Sequence, residues 1–167
     1  MFNTDNQDKN EKFRLKILSP RPKLSQTLHS LQFSGSLQCE VGNTYLYLKI
    51  SDKFIYDLFP FVEDPKALMP DYFFSKNAIG AHISIVYPGE LIASSLSSLN
   101  LTLKQEFSFA ITGFAMMTAP HKTYYVLLVA SQSLNQLRQD LGLPAELTYR
   151  GVEVPMHITI AVKPSEG

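Results

Sequence analysis

At 167 residues, 45% of them apolar, with 15 basic side chains offset by 15 acidic ones, the chain has the size of one domain and zero formal net charge. That balance argues against a protein that grips extended duplex nucleic acid, where affinity comes from phosphate neutralisation and counterion release, and favours a small ligand or an RNA end. The single Cys39 excludes a disulfide framework and a cysteine metal cluster, and no apolar run nears the roughly 18 to 20 residues that span a membrane.

Met1 to Lys12 is polar and lacks the apolar centre of a secretory signal, so the expectation is a cytoplasmic protein without a membrane partner, with signal-independent secretion left open. Residues 1–27 are rich in Asn, Asp, Lys and Ser around Ser19-Pro20-Arg21-Pro22, and are expected to be a flexible tail, docked at most through Phe13, Leu15, Ile17 and Leu18. Residues 28–167 then form one domain. Leu31 to Cys39 alternates loosely around Gly35 and predicts an edge strand. Thr44 to Ile50 predicts a stronger one, with Leu46, Leu48 and Ile50 on one face and Tyr45, Tyr47 and Lys49 on the other. A tyrosine-tyrosine-lysine row suits a nucleotide cleft, and cross-strand aromatic pairing explains the tyrosines as well.

Ser51 or Asp52 caps a short helix in which Phe54, Ile55, Leu58 and Phe59 recur at helical spacing, ending near Pro60. Glu63 to Asn77 holds two prolines and reads as a long loop whose Tyr72, Phe73, Phe74 and Lys76 are placed to edge a cleft. It leads into Gly80 to Val86, a buried strand in which His82 and Ser84 share one face while Ala81, Ile83 and Ile85 take the other. Tyr87-Pro88-Gly89 breaks that strand, and Glu90 to Leu99 predicts a helix.

Phe107 to Met117 and Thr123 to Ser131 predict a hairpin turning at Ala119, Pro120, His121 and Lys122. A helix follows, with a capping box of Ser133 and Gln136, a stripe of Leu134, Leu137 and Leu141, and a stop at Gly142 and Pro144. Val154 to Val162 then repeats the earlier strand, with His157 and Thr159 on one face and Met156, Ile158, Ile160 and Val162 on the other. The two halves read as approximate repeats, each ending in a His-x-hydroxyl strand.

Histidine accepts and donates protons near neutral pH, so two of them facing one centre can act as general base and general acid. Hydroxyls on the same faces can hold oxygens where negative charge develops, a set suited to phosphoryl transfer. His29 and His121 lie in weakly patterned or turn segments and read as solvated. A third ligand at matching spacing is missing for zinc. Lys49, Lys76, Arg150 and Lys163 are the cations that a cleft position would turn into phosphate contacts.

On His82-Ile83-Ser84-Ile85 and His157-Ile158-Thr159-Ile160, the second preceded by Pro155-Met156, the chain resembles the 2H phosphoesterase superfamily over about residues 43–163. The first motif carries Ser where Thr is commoner. The resemblance implies an α+β bilobal fold, two antiparallel sheets around a central cleft with helices outside. It also implies a monomeric, metal-independent enzyme without cofactors, acting on a cyclic phosphodiester, including a 2',3'-cyclic one, or on an RNA end. His82 and His157 would be its acid-base pair, and Ser84 and Thr159 its phosphate holders. Tyr45, Tyr47, Phe74, Lys76 and Tyr87 are the candidate substrate contacts. A nucleotide or RNA-end binding module that kept the fold without turnover is the alternative.

Overall fold

The computed structural model describes residues 14–40, 45–70, 79–90 and 105–164. In chain order they form β1 (Arg14–Leu18), α1 (Pro22–His29), β2 (Ser34–Cys39), β3 (Leu46–Lys49), α2 (Lys53–Tyr56) and a 3-10 turn (Phe59–Phe61). Then come β4 (His82–Val86), β5 (Glu106–Ser108), β6 (Ala110–Thr118), β7 (Lys122–Ala130), α3 (Gln132–Asp140), β8 (Leu147–Tyr149), β9 (Val152–Val154) and β10 (His157–Pro164).

The alternating apolar residues explain why these segments are strands. Leu46 and Leu48 on β3, Ile83 and Ile85 on β4, and Ile158 and Ile160 on β10 are fully buried, each such side chain contributing about 1.5–3 kcal/mol relative to exposure. The fold is α+β, with one antiparallel eight-stranded sheet in the order β1-β6-β7-β10-β4-β3-β2-β5 and a small β8-β9 hairpin. The two halves expected as separate sheets are thus joined edge to edge. Four strands from each meet where Ile83 of β4 pairs with Ile158 of β10.

Several expectations change. From Arg14 onward the expected tail is ordered: β1 pairs with β6 from Arg14↔Thr118 to Leu18↔Phe114, and α1, with proline in its first turn, buries Leu24. Main-chain pairing holds β1, whose Leu15 and Ile17 stay exposed, so side-chain composition says little about it. β2 is not an edge strand, because β3 lies on one side and β5 on the other. A Cβ on Gly35 would stand 2.4 Å from the carbonyl oxygen of Lys49, so the glycine reflects close backbone approach rather than a weak edge.

The predicted strand from Phe107 breaks at Phe109. β5 bonds to β2 and β6 to β7, so this one residue carries the chain from one half of the sheet to the other. Its ring packs against Phe33 and Phe54, and its N–H donates to the Phe33 carbonyl. Helix α3 is capped by Ser131 rather than Ser133: Ser131 Oγ accepts from Leu134 N at 3.2 Å and donates to Ser108 O at 2.7 Å. Of the predicted Glu90 helix, Glu90 sits in a turn with Tyr87, and the remainder lies outside the described residues. The loop after Glu63 is fastened to β10, through Asp64 to Lys163 and through a two-way Leu68–Val162 backbone bridge. Among the described residues no helix is long and apolar enough to cross a membrane.

Candidate active site

The register of the central strands assembles the site. Ile83 and Ile158 pair across β4 and β10 and point into the core. Continuing the antiparallel register by one step either way sets His157 across from Ser84 and Thr159 across from His82, all four on the opposite face. On the other flank of β4, Tyr47 lies across from Ser84 and Lys49 across from His82. A kink between Leu46 and Tyr47 shifts that register by one residue, so both leucines of β3 remain in the core.

Both imidazoles are anchored the same way. His82 Nδ1 lies 2.7 Å from the Gly80 carbonyl oxygen, and His157 Nδ1 lies 2.7 Å from the Pro155 carbonyl oxygen. A carbonyl only accepts, so each Nδ1 carries a proton and donates it, and Nε2 becomes the atom that takes or gives a proton. Gly80 has φ +75, a conformation that delivers its carbonyl to the ring. A Cβ there would stand 2.4 Å from Asp52 Oδ1 and 2.7 Å from Lys49 Nζ, which form an ion pair of 2.6 Å beneath it. Asp52 also accepts from Ala81 N, fastening the strand entrance.

Burial dominates the electrostatics. Desolvation pushes His82 down to about 4, against the Gly80 bond that favours protonation, and the neighbouring His157 and Lys49 charges push the same way. Burial likewise lowers His157, outweighing its bond to Pro155. Both rings are therefore neutral at rest at pH 7. A folded-state value below the unfolded one means that His82 supports the fold fully above about 6.5 and loses that support as pH falls toward 4. Imidazole C–H resonances followed by NMR are expected to show the His82 midpoint near 4. A His82 midpoint at or above 6.5 would contradict the burial argument.

Aromatic rings flank His82. Tyr45 and Tyr47 stack at 5.3 Å, Tyr45 and Tyr87 at 6.2 Å, and both Tyr45 and Tyr47 meet His82 edge-on. Tyr45 Oη and Ser84 Oγ are hydrogen-bonded at 2.7 Å. Burial pushes the Tyr87 phenol up to about 12 against its hydrogen bond with Ser84, so it keeps its proton. Tyr45 thus pairs across strands with Tyr87, and Tyr45 and Tyr47 pair across strands with His82.

His82, Ser84, His157, Thr159, Tyr45, Tyr47 and Tyr87 lie together; Phe74 and Lys76 are outside the described residues, as are Tyr72 and Phe73. Lys49 is committed to Asp52 and the Ala81 carbonyl, and Lys163 to Asp64. Arg150 lies over the Tyr149 ring at 5.3 Å. Among the described residues no group of three or more His, Cys, Asp or Glu is placed to hold a metal ion.

Two supporting residues escaped the sequence reading. Arg138 is fully buried and makes a bidentate pair with Glu90, at 2.9 and 3.0 Å, while donating to the Ile85, Pro144 and Glu146 carbonyls. Glu90 in turn accepts from Tyr87 N and Thr148 N. This pair ties the exit of β4, and with it Tyr87, to α3 and β8. Its signal was present: Arg138 falls four residues after Leu134 and three before Leu141, on the stripe that faces the core.

Residues 46–166 match the family model described as Swiss Army Knife, 2H phosphoesterase domain. Comparison with curated proteins and with solved structures gives no match. Since the family match begins within β3 and runs past the end of β10, taking in both histidine strands and most of the chain, this protein belongs to the 2H phosphoesterases.

Proposed function

We propose that the chain is a metal-independent phosphodiesterase that opens a cyclic phosphodiester or trims an RNA end by paired-histidine acid-base catalysis. The observation that carries this is the matched anchoring of the two rings, each donating from Nδ1 to a carbonyl two residues earlier, so that each uses Nε2 for proton transfer. The substrate phosphate lies between the halves of the sheet. One neutral Nε2 takes a proton from the attacking water while the other, protonated, gives one to the departing ester oxygen. Water adds to phosphorus, one P–O ester bond breaks, and a phosphate monoester and a hydroxyl result when the substrate is cyclic. The Ser84 and Thr159 hydroxyls donate to the non-bridging oxygens.

The lowered histidine values fit this order of events. Neutral rings await substrate, and the arriving phosphodiester anion favours protonation of one of them, which supplies the acid. The histidine that acts as base is set by the ester bond that breaks.

The test is turnover, in chelator, of nucleoside 2',3'-cyclic phosphates, 3',5'-cyclic nucleotides and short 2',5'- and 3',5'-linked oligonucleotides. Hydrolysis of one class that persists in chelator is expected. Ligands that bind without being opened at any pH would instead identify a binding module.

A further inference from the structure

The aromatic cluster does not stop at the histidines. Beyond Tyr87 it continues to Tyr149, whose ring centroid is 4.9 Å away, and then to the Arg150 guanidinium 5.3 Å above the Tyr149 ring. Tyr47, Tyr45, Tyr87, Tyr149 and Arg150 therefore form one continuous line of contacts, starting beside His82. Tyr149 is 41% exposed, so its ring has surface to offer. The line ends beside a cavity of about 380 Å³ lined in part by Pro88, Thr148, Arg150 and Gly151, chain neighbours of Tyr87 and Tyr149. Glu90 also contributes to this cavity, but its side chain is 4% exposed and paired with Arg138, so among the described lining residues Arg150 sets the sign of the charge there.

The backbone supplies a second observation. Tyr149 pairs with Val152, and the two residues between them, Arg150 and Gly151, have φ of 50 and 81. A two-residue hairpin loop with both φ values positive favours Asn, Asp or Gly at its first position. Arginine there is conformationally costly, and such positions cluster at binding sites. A guanidinium offers planar donors suited to a phosphate and a face suited to stacking.

We infer that Tyr149 and Arg150 form a subsite for the nucleotide next to the reacting phosphodiester, with the base stacked on Tyr149 and the following phosphate held by Arg150. This inference rests on the phosphodiesterase reading and sharpens it: the substrate is the end of a single-stranded oligonucleotide, and a mononucleotide leaves the subsite empty. Stacking platforms joined to a cation are how single strands are held without reading sequence.

Arg150→Asn tests it cleanly, because asparagine suits the turn and removes only the guanidinium. Its melting temperature is expected to equal or exceed that of the parent. Compared are a nucleoside 2',3'-cyclic phosphate and a short oligonucleotide ending in the same cyclic nucleotide. The substitution is expected to lower kcat/KM for the oligonucleotide about tenfold, leave the mononucleotide unchanged, and reduce the salt dependence by about 0.7 in log–log slope, the share of one single-strand phosphate. Tyr149→Leu is expected to show the same selectivity without the salt effect. Equal losses on both substrates, or no loss on the oligonucleotide, overturn the subsite.

Should the unaltered protein open neither of these substrates nor any 3',5'-cyclic nucleotide or 2',5'- or 3',5'-linked oligonucleotide, the phosphodiesterase reading fails separately. Fluorescence anisotropy with a labelled single-stranded oligonucleotide then decides the subsite alone. Binding weakened about tenfold by Arg150→Asn upholds it, and binding that is absent or indifferent to that change overturns it.

Discussion

His82→Ala and His157→Ala are each expected to reduce kcat at least 100-fold on whichever substrate the parent protein opens, with substrate binding changed far less. Each ring supplies one of two proton transfers in the same step, and removing a positioned acid or base typically loses 100- to 10,000-fold. Because both act in one transition state, the double variant is expected to lose much less than the product of the single losses. The pH profile separates this mechanism from a merely structural role. The bell in kcat/KM reports the free enzyme, and both free-enzyme histidines are lowered from 6.5 by burial. Its centre is therefore expected below pH 6.5, as macroscopic constants of the pair. Either alanine variant retaining turnover within a few-fold of the parent would remove the paired-histidine mechanism.

The second large effect concerns stability. Arg138→Met keeps the apolar stem of the side chain but deletes five hydrogen bonds from one guanidinium. It leaves the Glu90 carboxylate, on a side chain 4% exposed, without a counter-charge and with only the Tyr87 and Thr148 N–H groups as its named donors. Breaking one side of a buried pair costs about 3–5 kcal/mol, equivalent to roughly 6–20 °C in melting temperature for a domain of this size. Combining it with Glu90→Gln removes the uncompensated charge and is expected to restore part of the loss. Urea denaturation of the two variants measures both quantities. A single-variant effect below about 1 kcal/mol would mean that water reaches Glu90 and the pair is not structural.

Legibility in the sequence followed what each segment buries. β4 and β10 were plain because strict alternation separates a buried isoleucine face from a His-hydroxyl face, and neither reading depends on distant partners. β3 was plain for the same reason. β1 was not, since its stability comes from backbone pairing with β6 while Leu15 and Ile17 remain at the surface; hydrophobic patterning cannot register a strand that buries so little. The break at Phe109 escaped because both flanking segments are good strands and only their partners differ. Arg138 was passed over because an arginine in a helix is ordinarily solvated, although its position on the Leu134–Leu141 stripe placed it inward. The tyrosines were visible as a row on β3, whereas their continuation through Tyr87 to Tyr149 depends on how the β8–β9 hairpin folds back, which no local pattern contains.

The pairing of β1 with β6 orders events during synthesis. Residues 34–108 hold all four strands of one half, and that half can zip together as soon as β5 has left the ribosome. β1 precedes it in the chain, yet its partner β6 comes only after that half is complete. Until then β1 has neither edge paired, the kind of surface that invites pairing with another nascent chain. β1 thus precedes the other described strands yet gains its one paired edge only with β6, and in the finished sheet its outer edge, Leu15 and Ile17 remain at the surface.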